Sequence, residues 1–175
     1  MIVYRHADAR FPFLWESDDQ PAARWHGEGE GPVQYFADTP DGAWAEFLRH
    51  EAITSESDLA NVRRALWAVE VPDRLEAQTP RIGRRILTGG LDTYEQCRKE
   101  ARRLRRNGAT ELKTPSAALS DGGAGGWRVD GGMQPAPPRD CTVLAVFGAR
   151  PDLVGWMATV AGRPRSDLLA RVRPL

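Results

Sequence analysis

The side chains that most often carry chemistry are sparse in this chain, and their spacing excludes several mechanisms at once. His6, His26 and His50 do not fall at metal-ligand spacing. Cys97 and Cys141 fit no zinc or redox motif and read as two buried thiols. Gly27, Gly29 and Gly31 alternate, but no strand–GxGxxG–helix context surrounds them, so a dinucleotide or phosphate loop of the usual kind is not expected. No Gly-x-Ser-x-Gly elbow is present. What remains is a polar set: Arg24, Tyr35, Glu46 and Ser116. An arginine can grip an anion with paired donors, and a fixed carboxylate can stabilise developing positive charge. Each also has an ordinary alternative. Arg24 could be a surface ion-pair partner, Tyr35 a core aromatic and Glu46 a helix-surface carboxylate. Composition and periodicity alone do not single them out.

The elements that must position these residues are legible in part. Ile2 to Tyr4 reads as a short strand, and Phe11 to Ala23 as a loop rich in Pro, Asp and aromatic residues. Ala23 to Gly31 holds Arg24, Trp25, His26 and three glycines, a polar and permissive stretch suited to a ligand loop. Val33 to Ala37 reads as a strand carrying Tyr35. Thr39-Pro40 then opens a helix, with Thr39 as the cap and Pro40 in the first turn. Ala43, Trp44, Phe47 and Leu48 form its apolar stripe, and Glu46 sits beside that stripe, with His50 four residues on.

Further along, Ser57 to Arg63 suits a short helix, and Ala65 to Val71 alternates as a strand that Pro72 ends. Asp92 to Asn107 is the clearest helix. It has Tyr94, Cys97, Ala101 and Leu104 on one face and Gly108 as its C-terminal cap. Its other face, Arg98, Lys99, Arg102, Arg103, Arg105 and Arg106, is expected to be solvated. Glu111 to Ala118 crosses Ser116. Gly122 to Gly132 reads as a glycine-rich loop, Gln134 to Arg139 as a Pro-rich surface connector, and Cys141 to Phe147 as a buried strand. Strands and helices mix without a βαβ period, which favours an α+β fold.

The 175 residues suffice for one domain with a core, so a single domain over 1–175 is expected. Hydrophobic residues at 41% and charged residues at 27% fit a globular chain rather than a disordered one. Basic and acidic residues balance at 24 each, so the chain lacks the basic footprint of a direct nucleic-acid binder, and any anion site must be local. The N-terminus has no basic segment followed by an apolar run, and the longest apolar stretch, Val143 to Gly148, is too short for a bilayer. A cytoplasmic location without membrane attachment is the expectation.

In order and spacing, several short segments together resemble the RES family. They are Tyr4-Arg5, Arg24-Trp25, Gln34-Tyr35-Phe36-Ala37, Ala43-x-x-Glu46, Thr114-Pro115-Ser116-Ala117 and Val146-Phe147-Gly148. The resemblance runs over nearly the whole chain. It implies a compact ADP-ribosyltransferase-like fold, with a central mixed or split β-sheet flanked by helices. It also implies an enzyme that consumes NAD as its substrate, without a metal, by hydrolysis or phosphorolysis. Transfer of ADP-ribose to a protein is the alternative, and a non-catalytic nucleotide-binding module is a third. A small helix-turn-helix antitoxin is the partner the resemblance implies, and self-association is left open. Carried over residue by residue, Glu46, Arg24 and Tyr35 would be catalytic, and Arg24, Tyr35, Ser116 and Arg5 would hold the dinucleotide. Cleavage of the nicotinamide–ribose bond passes through an oxocarbenium-like state, which Glu46 would stabilise. Arg24 would grip the pyrophosphate, and Tyr35 would stack on the nicotinamide. Ser116 would bond an oxygen or orient Glu46, and Arg5 would be a second anion contact or structural. The segments at 77–85 and 122–126 match no motif of the family.

Overall fold

The computed structural model describes residues 1–72 and 77–175. Six strands form one sheet: β1 (Ile2–Ala7), β2 (Val33–Ala37), β3 (Arg64–Glu70), β4 (Glu111–Pro115), β7 (Thr142–Phe147) and β8 (Val154–Gly162). Their order is β4-β7-β2-β1-β3-β8, and every pairing between them is antiparallel. The expectation of a mixed sheet therefore narrows: among the described residues the one parallel pairing is the isolated bridge of Gln78 to Leu112. Antiparallel order needs no helical crossover between neighbouring strands, which leaves the helices free to gather on one face.

The sheet is split. β1 stays in register with β3 from Ile2 opposite Glu70 to Ala7 opposite Ala65, and β2 with β7 from Val33 to Ala37. Between the two halves, β1 meets β2 only where Tyr4 faces Ala37. Below that joint the fully buried Gln34 fills the gap. Its amide donates to the Trp15 carbonyl at 2.6 Å, and its oxygen accepts from Arg5 Nη1 at 2.5 Å. The loop through Trp15 thus ties onto β2 at the split through the Gln34 side chain.

Two helices lie over the same face. α1 (Pro40–His50) begins at Thr39, whose hydroxyl accepts from Gly42 N at 3.0 Å. α4 (Tyr94–Arg106) follows a 3₁₀ turn at Leu91–Thr93 and ends before Gly108, whose φ of +87° suits glycine at a helix C-terminus. α1 buries Ala43, Trp44, Phe47 and Leu48 with Leu66, Leu119 and Leu168. α4 buries Cys97, Ala101 and Leu104 with Trp25, Val33, Leu112, Ala145 and Phe147. Alternate residues of the strands, Val3, Phe36, Val69, Leu144 and Val146, fill the opposite face. This is an α+β arrangement, as composition and order anticipate.

Short helices α2 (Glu56–Leu59) and α3 (Arg84–Thr88) complete the connections. Two readings are corrected. The glycine-rich stretch and the start of the Pro-rich connector form a hairpin, β5 (Trp127–Val129) with β6 (Met133–Pro135). Its turn uses Gly131 and Gly132 at positive φ, so the glycines are turn residues rather than a flexible run. β8 was not anticipated by any periodicity. It is an edge strand with Val154, Trp156, Met157 and Val160 exposed, and so lacks the half-buried alternation that marks a strand. No helix among the described residues is long and apolar enough to cross a membrane.

Candidate functional site

A cleft of about 220 Å³ opens between α1 and α4, over the joint of the two half-sheets. Tyr4, Arg5, Arg24, Tyr35, Glu46, Arg49, His50, Tyr94 and Thr114 are among its lining residues. Glu46 enters from α1 because it sits one step off the buried stripe. It is half-buried, with its head group in the cleft. Ser116 lies just past β4, 2% exposed, and donates from Oγ to Glu46 Oε1 at 3.2 Å. The same Oγ accepts from Ala118 N and Leu119 N at 3.2 and 3.0 Å. Two amides occupy its lone pairs, so its one proton points at the carboxylate. Ser116 therefore positions Glu46.

The turn that holds Ser116 is itself braced from the C-terminal segment. Arg173 donates from Nη1 to the carbonyls of Ser116 and Leu119, and its backbone N to Ala118 O at 2.7 Å.

Arg24 is 8% exposed, so the loop at 23–31 is far less open than its composition promises. Trp25 and His26 are buried beside it, at 1% and 2%. The basic face of α4, expected to be solvated, instead clamps this loop. Arg98 Nε donates to Ala23 O at 2.9 Å, Arg102 Nε to Glu30 at 2.7 Å, and Arg105 Nη1 to Glu30 O at 2.9 Å. Glu30 also accepts from Gly27 N at 2.8 Å. The acidic loop side chain thus faces α4 rather than the cleft. Burial raises the Glu30 pKa, but the Gly27 amide and Arg102 outweigh it and hold the carboxyl below its ordinary range.

Tyr35 lines the cleft with its ring while its hydroxyl is committed. Trp25 N donates to Oη at 3.1 Å, and Oη lies 2.9 Å from His26 Nδ1. Burial lowers the His26 pKa and favours a neutral ring, which shares a single proton with the tyrosine hydroxyl across that contact. Burial likewise raises the Tyr35 pKa. Tyr35 can therefore act through its ring face, with its hydroxyl fixing the loop that carries Arg24.

Arg5 lies at the split, bonded to Gln34, and burial lowers its pKa to about 10, still protonated at neutral pH. His6 is neutral there, because burial and then Arg64, Arg5 and His50 draw its pKa down to about 3. The cysteines are not nucleophiles. Both are buried, Cys141 is pushed up to about 12 by burial, and Cys97 is raised for the same reason. Among the described residues no group of three or more His, Cys, Asp or Glu is placed to hold a metal ion.

One site residue escapes the sequence reading. Arg49, 4% exposed, lines the cleft three residues after Glu46. It donates from Nη1 to Ala117 O at 2.6 Å and from Nη2 to Gly89 O at 2.8 Å. Arg24 Nη2 reaches the same Gly89 oxygen at 2.7 Å, while the Arg24 guanidinium stacks on Tyr94 at 4.6 Å. Gly42 and Ala45, on the same helix face as Arg49, were the available signal, since small residues there let the face be covered. Among the described residues none of Arg5, Arg24 and Arg49 stands within ion-pair distance of a carboxylate. The cleft thus holds three guanidinium groups and one serine-held carboxylate.

No curated protein matches the chain. The family model of the RES domain matches residues 2–159, which include Arg5, Arg24, Tyr35, Glu46 and Ser116. With that match over most of its length, the chain belongs to the RES family.

Proposed function

We propose that this protein cleaves the nicotinamide–ribose bond of NAD, with water or phosphate as the acceptor. Membership of the RES family is compatible with an NAD-acting enzyme. The observation that carries the reading is the Glu46 carboxylate, held by Ser116 at 3.2 Å in a cleft whose lining also includes Arg5, Arg24 and Arg49. A dinucleotide asks for that combination. Its pyrophosphate is anionic and its reacting ribose becomes cationic, so one site must offer both signs of charge.

In the reaction the bond from ribose C1′ to the nicotinamide nitrogen breaks, and nicotinamide leaves with the electron pair. Positive charge spreads over C1′ and the ring oxygen, where Glu46 stabilises it. An oxygen of water or phosphate then bonds to C1′, and the proton it carried passes to solvent. Ser116 keeps the carboxylate in a single orientation, so little reorganisation is needed as the charge appears. The Tyr35 ring offers a face for the departing nicotinamide.

The test is nicotinamide release from NAD by the purified protein, with and without phosphate. Wild type releases nicotinamide, and Glu46→Gln lowers the rate by at least about 10²–10³-fold while keeping its fold. A Glu46→Gln protein as active as the wild type sinks the assignment. Ribose-1-phosphate linkage in the product marks phosphate as the acceptor, and free ADP-ribose marks water. Label kept on protein instead marks transfer to a protein.

A further inference from the structure

Arg24 and Arg49 come from distant parts of the chain, a loop and a helix, yet both donate to the carbonyl of Gly89, at 2.7 and 2.8 Å. A carbonyl oxygen carries no net charge, so it fixes two like charges side by side without neutralising either. Their mutual repulsion and their burial both cost free energy. That arrangement is stable in the folded chain because each guanidinium is held by further groups. Arg24 has Ile86 O, Thr93 Oγ1 and the Tyr94 ring, and Arg49 has Ala117 O. Neither set uses up the donors. Each guanidinium has five N–H groups, and Arg49 Nε is buried with no partner. Thr114, which lines the same cleft, also has a buried hydroxyl without a partner. Gly89 is required at the pivot. A Cβ there would stand 2.8 Å from the Arg85 carbonyl and 2.5 Å from Thr93 Cγ2, so a side chain would displace the shared oxygen.

We propose that Arg24 and Arg49 form a preset seat for a phosphoryl oxyanion, with Arg49 an anion-binding residue of the cleft. The inference rests on the NAD-cleaving reading and adds to it a residue, Arg49. Two guanidinium groups held on one carbonyl already stand side by side at the cleft before an oxyanion arrives, which lowers the cost of binding one there. The phosphoryl group has two sources, the pyrophosphate of the dinucleotide or a free phosphate acceptor, and kinetics separate them.

The experiment measures nicotinamide release over a grid of NAD and phosphate concentrations for wild type, Arg49→Gln and Arg49→Lys. It also measures inhibition and thermal stabilisation by inorganic pyrophosphate. If the dinucleotide occupies the seat, Arg49→Gln raises the KM for NAD by ~10–100-fold and leaves kcat within about threefold. If the acceptor occupies it, the KM for phosphate rises by that factor and the KM for NAD is unchanged. Arg49→Lys recovers part of either loss. A folded Arg49→Gln with both KM values and pyrophosphate affinity unchanged overturns the seat while leaving NAD cleavage standing. A wild type that releases no nicotinamide overturns the functional reading instead. Pyrophosphate still decides the seat in that case, and also if Arg49→Gln does not fold. Stabilisation of wild type that weakens in Arg49→Lys supports the seat, and no stabilisation of wild type overturns it.

Discussion

The arginines of this protein fall into two populations that differ in what answers their charge. On the outer face of α4, Arg102 pairs with Glu30 and Glu95, and Arg103 with Glu100. In the cleft Arg5, Arg24 and Arg49 meet only carbonyls, an amide oxygen, a hydroxyl, a thiol and ring faces. The first group is partly exposed and in contact with carboxylates, the second mostly buried and without such contacts. Charge that is paired at a surface holds a loop in place for little energy. Charge that is buried without a contacting carboxylate is costly to keep, and an anionic ligand would relieve that cost.

Substitutions on the two faces should therefore separate cleanly. Among the arginines the largest effect is expected from Arg24→Gln, which should lower kcat/KM for NAD by about 100-fold, read as nicotinamide release at subsaturating NAD. Arg102→Ala, on the paired face, should stay within about threefold in the same assay. Equal losses in the two variants would erase the distinction. Ser116→Ala comes next. Freed from its hydroxyl donor, Glu46 gains orientational freedom, and kcat should fall by about tenfold with KM little changed. A fall in KM-linked binding alone would assign Ser116 to the ligand instead of to Glu46.

A smaller effect concerns stability and pH. The Glu30 carboxyl is held below its ordinary value of 4.5 in the folded state. Its contribution is therefore fully present above that value and is lost as pH falls through the depressed one. Thermal midpoints of wild type and Glu30→Gln should differ at neutral pH and converge as the pH falls well below 4.5. A gap that persists unchanged in acid would show that Glu30 does not act through its charge.

Much of the site's scaffold was legible in sequence because it depends on local rules. Thr39-Pro40 marks the start of α1, and the spacing of Ala43, Trp44, Phe47 and Leu48 sets which way Glu46 points. Tyr94, Cys97, Ala101 and Leu104 likewise give the buried side of α4. The joint of Glu46 to Ser116 was anticipated only as one of two roles, since it spans 70 residues and no local pattern encodes it. Arg49 was marked only by its small neighbours Gly42 and Ala45, for the same reason. On a helical wheel it is an ordinary surface cation, and only the distant carbonyls of Ala117 and Gly89 make it a buried one. The α4 arginines misled in the opposite sense: a basic face reads as solvated until the loop that carries Glu30 is folded against it.

The split between β1 and β2 gives the molecule a seam, and α1 packs across it against both strands. A rigid beam bolted to two plates transmits any rocking of one plate to the other. Glu46 is carried on that beam, so any such rocking would move the carboxylate with it. Hydrogen exchange should register this: a bound dinucleotide is expected to slow the amides of β1 and β2 flanking Tyr4 and Ala37 more than those of the distant β3–β8 pair.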